Sequence, residues 1–416
     1  MDVSTDTASV RRPVEAEAEL RPGVRRRTRN DVEDLAGRGF DVRLVDPAPR
    51  AELDPEVQRR VSQAIAERAD RPGFVEWLFD GATHPAGAAW HGVAKRAIAL
   101  HTLYNIGRHE RPQDGLDGRV YDEPMFRGGT ASARELIIEQ HGQGKGDRIL
   151  ARYDDFFAAG PTRDGVDEYG LTSYDYLLGV VDSHAVRTRA DAAKALVREQ
   201  FAGSWRPELR IVSVACGAVE AMVELMADLS AEGVELAEID LVDHDPLALA
   251  TFAGLGRAAG LGDRVRHHRR NFLKTPLDRF LAPNSVDVVD LIGVFEHIPA
   301  TRAGYHFAAN LLTNAASLLR SGGVVVLANM LPDRPQQSFF SSVWPPLHQR
   351  SIEEMLLVFR EAGFDPDRVA VRVPEREGVY GVYLAEIEPD VRRAKTRPSA
   401  VQRAIGRVIM RSMPEF

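Results

Sequence analysis

Short apolar runs alternate with helical stretches from residue 209 to residue 387, and this alternation restricts the fold more than any other feature of the sequence. Most of the runs are rich in β-branched residues and largely apolar, as expected for strands buried on both faces of a parallel sheet. Helical stretches follow most of the runs, whereas the last two are joined directly. We therefore predict a doubly wound, mainly parallel α/β sheet of seven strands that ends in an antiparallel hairpin. The predicted strands are 209–214, 239–243, 264–268, 286–292, 324–327, 369–373 and 379–387.

The chain that precedes and follows this sheet has a different character. Residues 1–35 lack an apolar period that could bury a face, so we predict a disordered N-terminal tail. Residues 36–204 read mostly as helices separated by glycine-rich breaks, and we predict that they form a helical lid or substrate domain. The α/β domain then occupies residues 205–388, and residues 389–416 form a basic amphipathic tail.

The composition excludes several classes of protein. Cys216 is the single cysteine of 416 residues, which excludes an internal disulfide and a zinc site with several cysteine ligands. The net charge of -8 disfavours a general nucleic-acid binder. No apolar run is long enough for a transmembrane helix, and none follows Arg11 and Arg12 as in a signal peptide, so we expect a cytoplasmic protein. No ligand pair has metal-binding spacing, so we expect no metal.

Small and polar residues follow the first predicted strand, at the edge where a doubly wound sheet binds its ligands. Gly217 lets the backbone approach a ligand, and the small residues before it keep the turn open. We therefore predict cofactor contacts from Ser213, Ala215, Cys216 and Gly217.

Polar residues also follow the second and third strands. A carboxylate at Asp243, beside His244, could accept hydrogen bonds from both hydroxyls of a ribose. Asn271 could bond to an adenine edge on which Phe272 stacks. The alternatives are that Asp243 is a solvated strand end or helix cap, and that Asn271 and Phe272 cap a loop and fill core.

The fourth strand carries an acidic residue in an apolar setting. An unpaired carboxylate at Asp290 would be costly there, so we expect it to bond to a backbone amide or to approach a ligand amine. Gly293 follows three residues later, and we predict that it also contacts the cofactor at this edge of the sheet.

Candidate catalytic groups come after this strand and on a later loop. Glu296, His297 and His348 are the candidates, because a histidine pKa lies near neutral pH and suits a general base. Arg350 could hold a substrate carboxylate by a forked pair of hydrogen bonds. Alternatively, these residues only end a strand and lie on a surface loop.

Taken in order, these segments resemble the class I S-adenosylmethionine-dependent methyltransferases. The resemblance covers about residues 205–388 and includes the VACG turn, the acidic end of the second strand, Asn271-Phe272, the VFEHI segment and the LLRSGG turn. It implies a Rossmann-like class I methyltransferase fold with S-adenosylmethionine as the cofactor.

A narrower resemblance concerns the substrate. The segments VACG, VDHDP, 327–335 and 344–355 are similar to a bacterial group that makes the methyl ester of 3-hydroxypalmitic acid. This similarity implies methyl transfer to a carboxylate or hydroxyl of a small specialised metabolite or acyl chain.

The resemblance also implies a lid. In related enzymes an N-terminal helical segment covers the cofactor, often with a tyrosine near the sulfonium, whose charge an aromatic face attracts. The corresponding candidates are Tyr153, Tyr169, Tyr174 and Tyr176. The alternative is that these tyrosines are ordinary core residues.

Two other functions stay open. Val219 narrows the space beside the cofactor. The cofactor could therefore serve a reaction other than methyl transfer, such as an intramolecular cyclisation that releases methylthioadenosine. A degenerate, non-catalytic binding protein is the second alternative.

The basic tail suggests a partner. Residues 391–414 carry seven arginines and lysines and no acidic residue, with apolar residues at helical spacing from 401 onward. Such a helix packs on the chain's own acidic body or on a second copy in an oligomer, or it contacts an anionic surface or an acidic carrier protein.

Overall fold

The computed structural model describes residues 26–46, 55–68, 181–206, 208–215, 221–244, 260–332 and 347–387, with short pieces at 143–144, 147 and 249. The helices are α1 (Arg26–Gly37), α2 (Pro55–Arg68), α3 (Val181–Gln200), α4 (Ala221–Ala231), α5 (Arg302–Ala316) and α6 (Ile352–Glu361). The strands are β1 (Val42–Val45), β2 (Leu209–Val214), β3 (Leu236–Asp243), β4 (Val265–Arg269), β5 (Val286–Leu291), β6 (Leu319–Met330), β7 (Val369–Pro374) and β8 (Tyr380–Glu386).

The strands form a mixed sheet in the order β1-β7-β8-β6-β5-β2-β3-β4. Only β8 of the described strands runs against its neighbours, β6 and β7, and the other seven share one direction. The mainly parallel arrangement and the terminal hairpin are therefore confirmed. The predicted number of seven strands is wrong, because β1 adds an eighth by pairing in parallel with β7, with Val42 opposite Val371.

Part of the segment predicted as a disordered tail is a helix, and a strand of the sheet follows it. The helix α1 begins at Arg26, so the prediction of disorder is wrong for residues 26–35. Val32 and Leu35 of this helix are buried beside Val42 of β1. Two apolar residues three apart in an otherwise polar helix are too few to produce a clear apolar period, so the sequence pattern does not indicate this helix.

Apolar residues on both faces of the central strands are buried because both faces of the sheet are covered. Successive residues of β2 point to opposite faces: Ile211 belongs to the core on the α3 and α4 side, and Val212 to the core on the α5 and α6 side. Although α3 comes from the segment predicted as a separate helical domain, it packs on β6, β7, β8 and α4. Most of the rest of the predicted helical domain, residues 69–180 apart from 143–144 and 147, lies outside the described residues.

The chain order of the strands determines where a ligand can bind. From β2 the chain runs outward to β3 and β4, then returns to the other side of β2 to form β5. The carboxyl ends of β2 and β5 therefore border the topological switch point, which is the usual ligand crevice of an open α/β sheet.

Candidate active site

The turn after β2 lies against the turn after β5. Ala215 has a left-handed backbone with φ of 51°, which is uncommon for a residue with a side chain, and its amide donates to the Val242 carbonyl at 2.8 Å. A Cβ on Gly293 would lie 4.0 Å from the Ala215 carbonyl oxygen, so the two turns are close neighbours. The predicted contacts Cys216 and Gly217 lie outside the described residues.

Asp290 joins these two strands from inside the sheet. Its carboxylate accepts a hydrogen bond from Ser213 Oγ at 2.7 Å and another from the Ile292 amide at 2.9 Å, and it is 2% exposed. The expected bond to a backbone amide is therefore present. Burial raises the pKa of Asp290 to about 6, against the opposing effects of the Ser213 and Ile292 hydrogen bonds and the charge of Arg189.

Asp243 ends β3 on the other side of the same turn. It is 6% exposed, and its Oδ1 lies 3.2 Å from His244 Nδ1. Its backbone carbonyl accepts from the Arg270 amide at 2.8 Å, which ties the ends of β3 and β4 together. The carboxylate thus stands at the carboxyl edge of the sheet, where the sequence predicts ribose binding.

Asn271 and Phe272 occupy the loop after β4. Asn271 Oδ1 accepts from the amides of Leu273 and Lys274 at 3.1 and 3.2 Å, so it caps the turn. Phe272 is partly buried against the core. The structure therefore contains the loop-capping and core-filling alternative, and an adenine contact by these residues stays a prediction.

Glu296 follows β5 and is engaged in a buried ion pair. Its Oε1 accepts from Arg189 Nη1 of α3 at 2.9 Å, and both side chains are 5% exposed. The Arg189 guanidinium also lies 4.3 Å from the centre of the Tyr380 ring. This ion pair fastens α3 to the turn that carries His297.

The two candidate histidines lie on segments that are in direct contact. The His348 amide donates to the Glu296 carbonyl at 2.7 Å, which brings the loop segment 347–350 against the turn after β5. Burial lowers the pKa of His297, with Glu296 opposing this effect and Arg189 adding to it. Burial, Arg350 and His297 lower the pKa of His348. Both shifts favour the neutral imidazole, which is the form that can accept a proton.

Arg350 does not occupy an open mouth. It is fully buried, and its guanidinium donates to the carbonyl oxygens of Phe295, Ile298 and Pro299 at 2.9, 2.6 and 3.1 Å. The prediction that Arg350 holds a substrate carboxylate is wrong, because the turn after β5 takes up its hydrogen-bonding fork.

Arg189 is the site residue that the sequence predictions missed. It lies on the buried stripe of α3 that includes Ala185, Ala192, Ala193 and Leu196. A basic residue within an apolar stripe at helical spacing was the available signal, because such a charge needs a buried partner.

The remaining predictions concern the lid, the basic tail, metal binding and membrane insertion. The lid candidates Tyr153, Tyr169, Tyr174 and Tyr176, and the basic tail 391–414, lie outside the described residues. Within the described ranges, no cluster of three or more histidine, cysteine or acidic residues could hold a metal ion. No helix there is long and apolar enough to cross a membrane.

Several solved structures are similar to this chain. A possible exported protein from Bordetella parapertussis is 17% identical, with 74% of this chain and 100% of that chain covered and a TM-score of 0.45. The trans-methyltransferase CalH in complex with SAH is 15% identical, with 83% and 94% covered and a TM-score of 0.42. A geranyl diphosphate methyltransferase in complex with SAM is 15% identical, with 50% and 88% covered and a TM-score of 0.36. No family model and no curated protein matches the chain.

Proposed function

We propose that this protein is an S-adenosylmethionine-dependent methyltransferase that acts on a carboxylate or hydroxyl of a small metabolite or acyl chain. The observation that carries the proposal is the pair of carboxylates, Asp243 and Asp290, at the carboxyl ends of β3 and β5 on either side of the β2 turn. This is the switch-point crevice, where α/β sheets bind nucleotide-like ligands.

The residues around the crevice fit the adenosyl and amino-acid parts of that cofactor. The carboxylate of Asp243, at the end of β3, can accept hydrogen bonds from the two hydroxyls of the ribose. Asp290 and Ser213 form a polar floor between the ends of β2 and β5. The left-handed turn at Ala215 brings backbone, rather than a bulky side chain, towards Gly293.

The chemistry divides between the cofactor and the chain. Bound S-adenosylmethionine supplies a methyl group that its sulfonium charge already activates. The lowered pKa values of His297 and His348 favour the neutral imidazole, so either histidine accepts a proton from an acceptor hydroxyl, or donates a hydrogen bond that orients an acceptor carboxylate. The Arg189–Glu296 pair holds the turn that presents His297. Most of the catalytic effect then comes from positioning the acceptor.

Titration calorimetry with S-adenosylmethionine and S-adenosylhomocysteine tests the binding. Asp243→Ala should weaken binding by about 2–4 kcal/mol, roughly 30- to 700-fold, because it removes hydrogen bonds to a charged acceptor. Asp278→Asn, at an exposed carboxylate outside the crevice, is the control and should bind like wild type. Absence of binding by wild type, or unchanged affinity in Asp243→Ala, would contradict the proposal.

Product analysis separates the reactions that this cofactor permits. Wild-type protein incubated with S-adenosylmethionine and a panel of hydroxy and carboxylic acids of increasing acyl length should release S-adenosylhomocysteine with one of them. Release of methylthioadenosine instead would indicate intramolecular cyclisation. Binding without either product across the panel would favour a non-catalytic role.

A further inference from the structure

Arg350 is a fully buried cation that is held by carbonyl groups. Besides its three bonds to the turn after β5, Nη1 lies 3.4 Å from Asn329 Oδ1 at the end of β6. No carboxylate among the described residues lies within ion-pair distance of it, and burial lowers its pKa. A charge in such a place is costly unless hydrogen bonds satisfy it.

The segment around Arg350 is tied to β6 by its backbone as well. The Arg350 amide donates to the Met330 carbonyl at 3.0 Å. Asn329 Nδ2 donates to the Arg350 carbonyl at 3.1 Å and to the Met330 carbonyl at 2.6 Å. Arg350 therefore connects the end of β6 to the turn after β5. That turn carries His297, and the segment 347–350, which contains Arg350 itself, carries His348.

The planar guanidinium suits this task. It presents five donors in a fixed fork and here donates to three carbonyls of one turn, which a lysine ammonium cannot match in geometry. Tyr305 of α5 lies beside it, with the guanidinium carbon 5.6 Å from the ring centre. The turn is thereby held from the α5 and β6 side, whereas Arg189 holds it from α3.

We propose that Arg350 is a positioning residue, which locks the turn carrying His297 onto the segment carrying His348 so that the two imidazoles form one proton-accepting unit. This inference rests on the proposed function, in which those histidines face the acceptor.

The charged surroundings of the two histidines distinguish positioning from a simple charge effect. His297 faces Glu296 on its own turn and Arg189 on α3. His348 faces Arg350 and His297. If Arg350 acted only through its charge, its removal would raise the pKa of His348 alone. If it acts by position, loosening the turn admits water to both imidazoles and raises both pKa values.

The experiment is an NMR pH titration of the histidine Cε1–H signals in the full-length protein without ligand. The signals are assigned with His297→Gln and His348→Gln. In Arg350→Met and in Arg350→Lys, both pKa values should rise towards the ordinary value of about 6.5. The lysine variant keeps the charge and loses the fork, and it decides the question if the methionine variant does not fold.

Arg372→Met is the matched control, because Arg372 is also buried and pairs with Asp41 and Glu199 on another part of the sheet. It should leave both histidine pKa values as in wild type. A rise of His348 alone in Arg350→Met, no change in Arg350→Lys, or equal shifts in Arg372→Met would each overturn the inference. Because the titration needs no ligand, its outcome is independent of the calorimetry that tests cofactor binding.

Discussion

The wild-type protein should lose stability as pH rises, because the buried carboxyl of Asp290 ionises. Asp290→Asn should not show this loss. Burial raises the pKa of Asp290 from 3.8 to about 6, which corresponds to about 3 kcal/mol. The stability that Asp290 contributes is therefore fully present below pH 3.8, the pKa of the unfolded state. It is lost as pH rises through about 6, the pKa of the folded state. Asparagine is neutral at every pH, and its amide can accept from Ile292 and donate to Ser213, so both hydrogen bonds survive.

The assay is thermal unfolding of wild type and Asp290→Asn at intervals from pH 4 to pH 8. The unfolding temperature of the variant should rise relative to that of wild type as pH rises, with most of the change below pH 7. At neutral pH the variant should unfold about 6–12 °C higher, given roughly 2–4 °C per kcal/mol for a domain of this size. Asp278→Asn controls for the loss of one negative charge at an exposed site. A difference between wild type and Asp290→Asn that stays constant over this range would refute the reasoning.

Two further substitutions test the packing around the same turn. Arg189→Met should lower the free energy of unfolding by about 3–5 kcal/mol, because it leaves Glu296 buried without its cation. Adding Glu296→Gln should restore part of that loss. Equal stability of the single and double variants in urea unfolding would argue against the pairing. Gly304→Ala should destabilise by about 1–3 kcal/mol, since a Cβ there would lie 1.8 Å from the Pro299 carbonyl oxygen, whereas Gly37→Ala meets nothing within 4 Å and should be nearly neutral in thermal unfolding.

The sequence by itself determined the class of fold and the edge at which the site lies. Runs rich in β-branched residues such as 209–214 and 286–291 predict buried parallel strands, and the chain order places their ends together. The direct succession of two runs near residues 369–387 indicates the hairpin of β7 and β8. These are local patterns, because period and turn chemistry depend on neighbours within a few positions.

Tertiary structure decided which polar side chains face a ligand and which hold the fold together. Arg189 and Glu296 are 107 positions apart, and nothing local to either residue indicates the other as its partner. The four-residue strand β1 exists because β7 offers an unpaired edge, a contact that spans most of the chain. Arg350 lies in a loop that reads as exposed, yet the carbonyls of a distant turn bury it. A buried charge is stabilised only by groups that folding brings together, so its role follows from contacts and not from spacing.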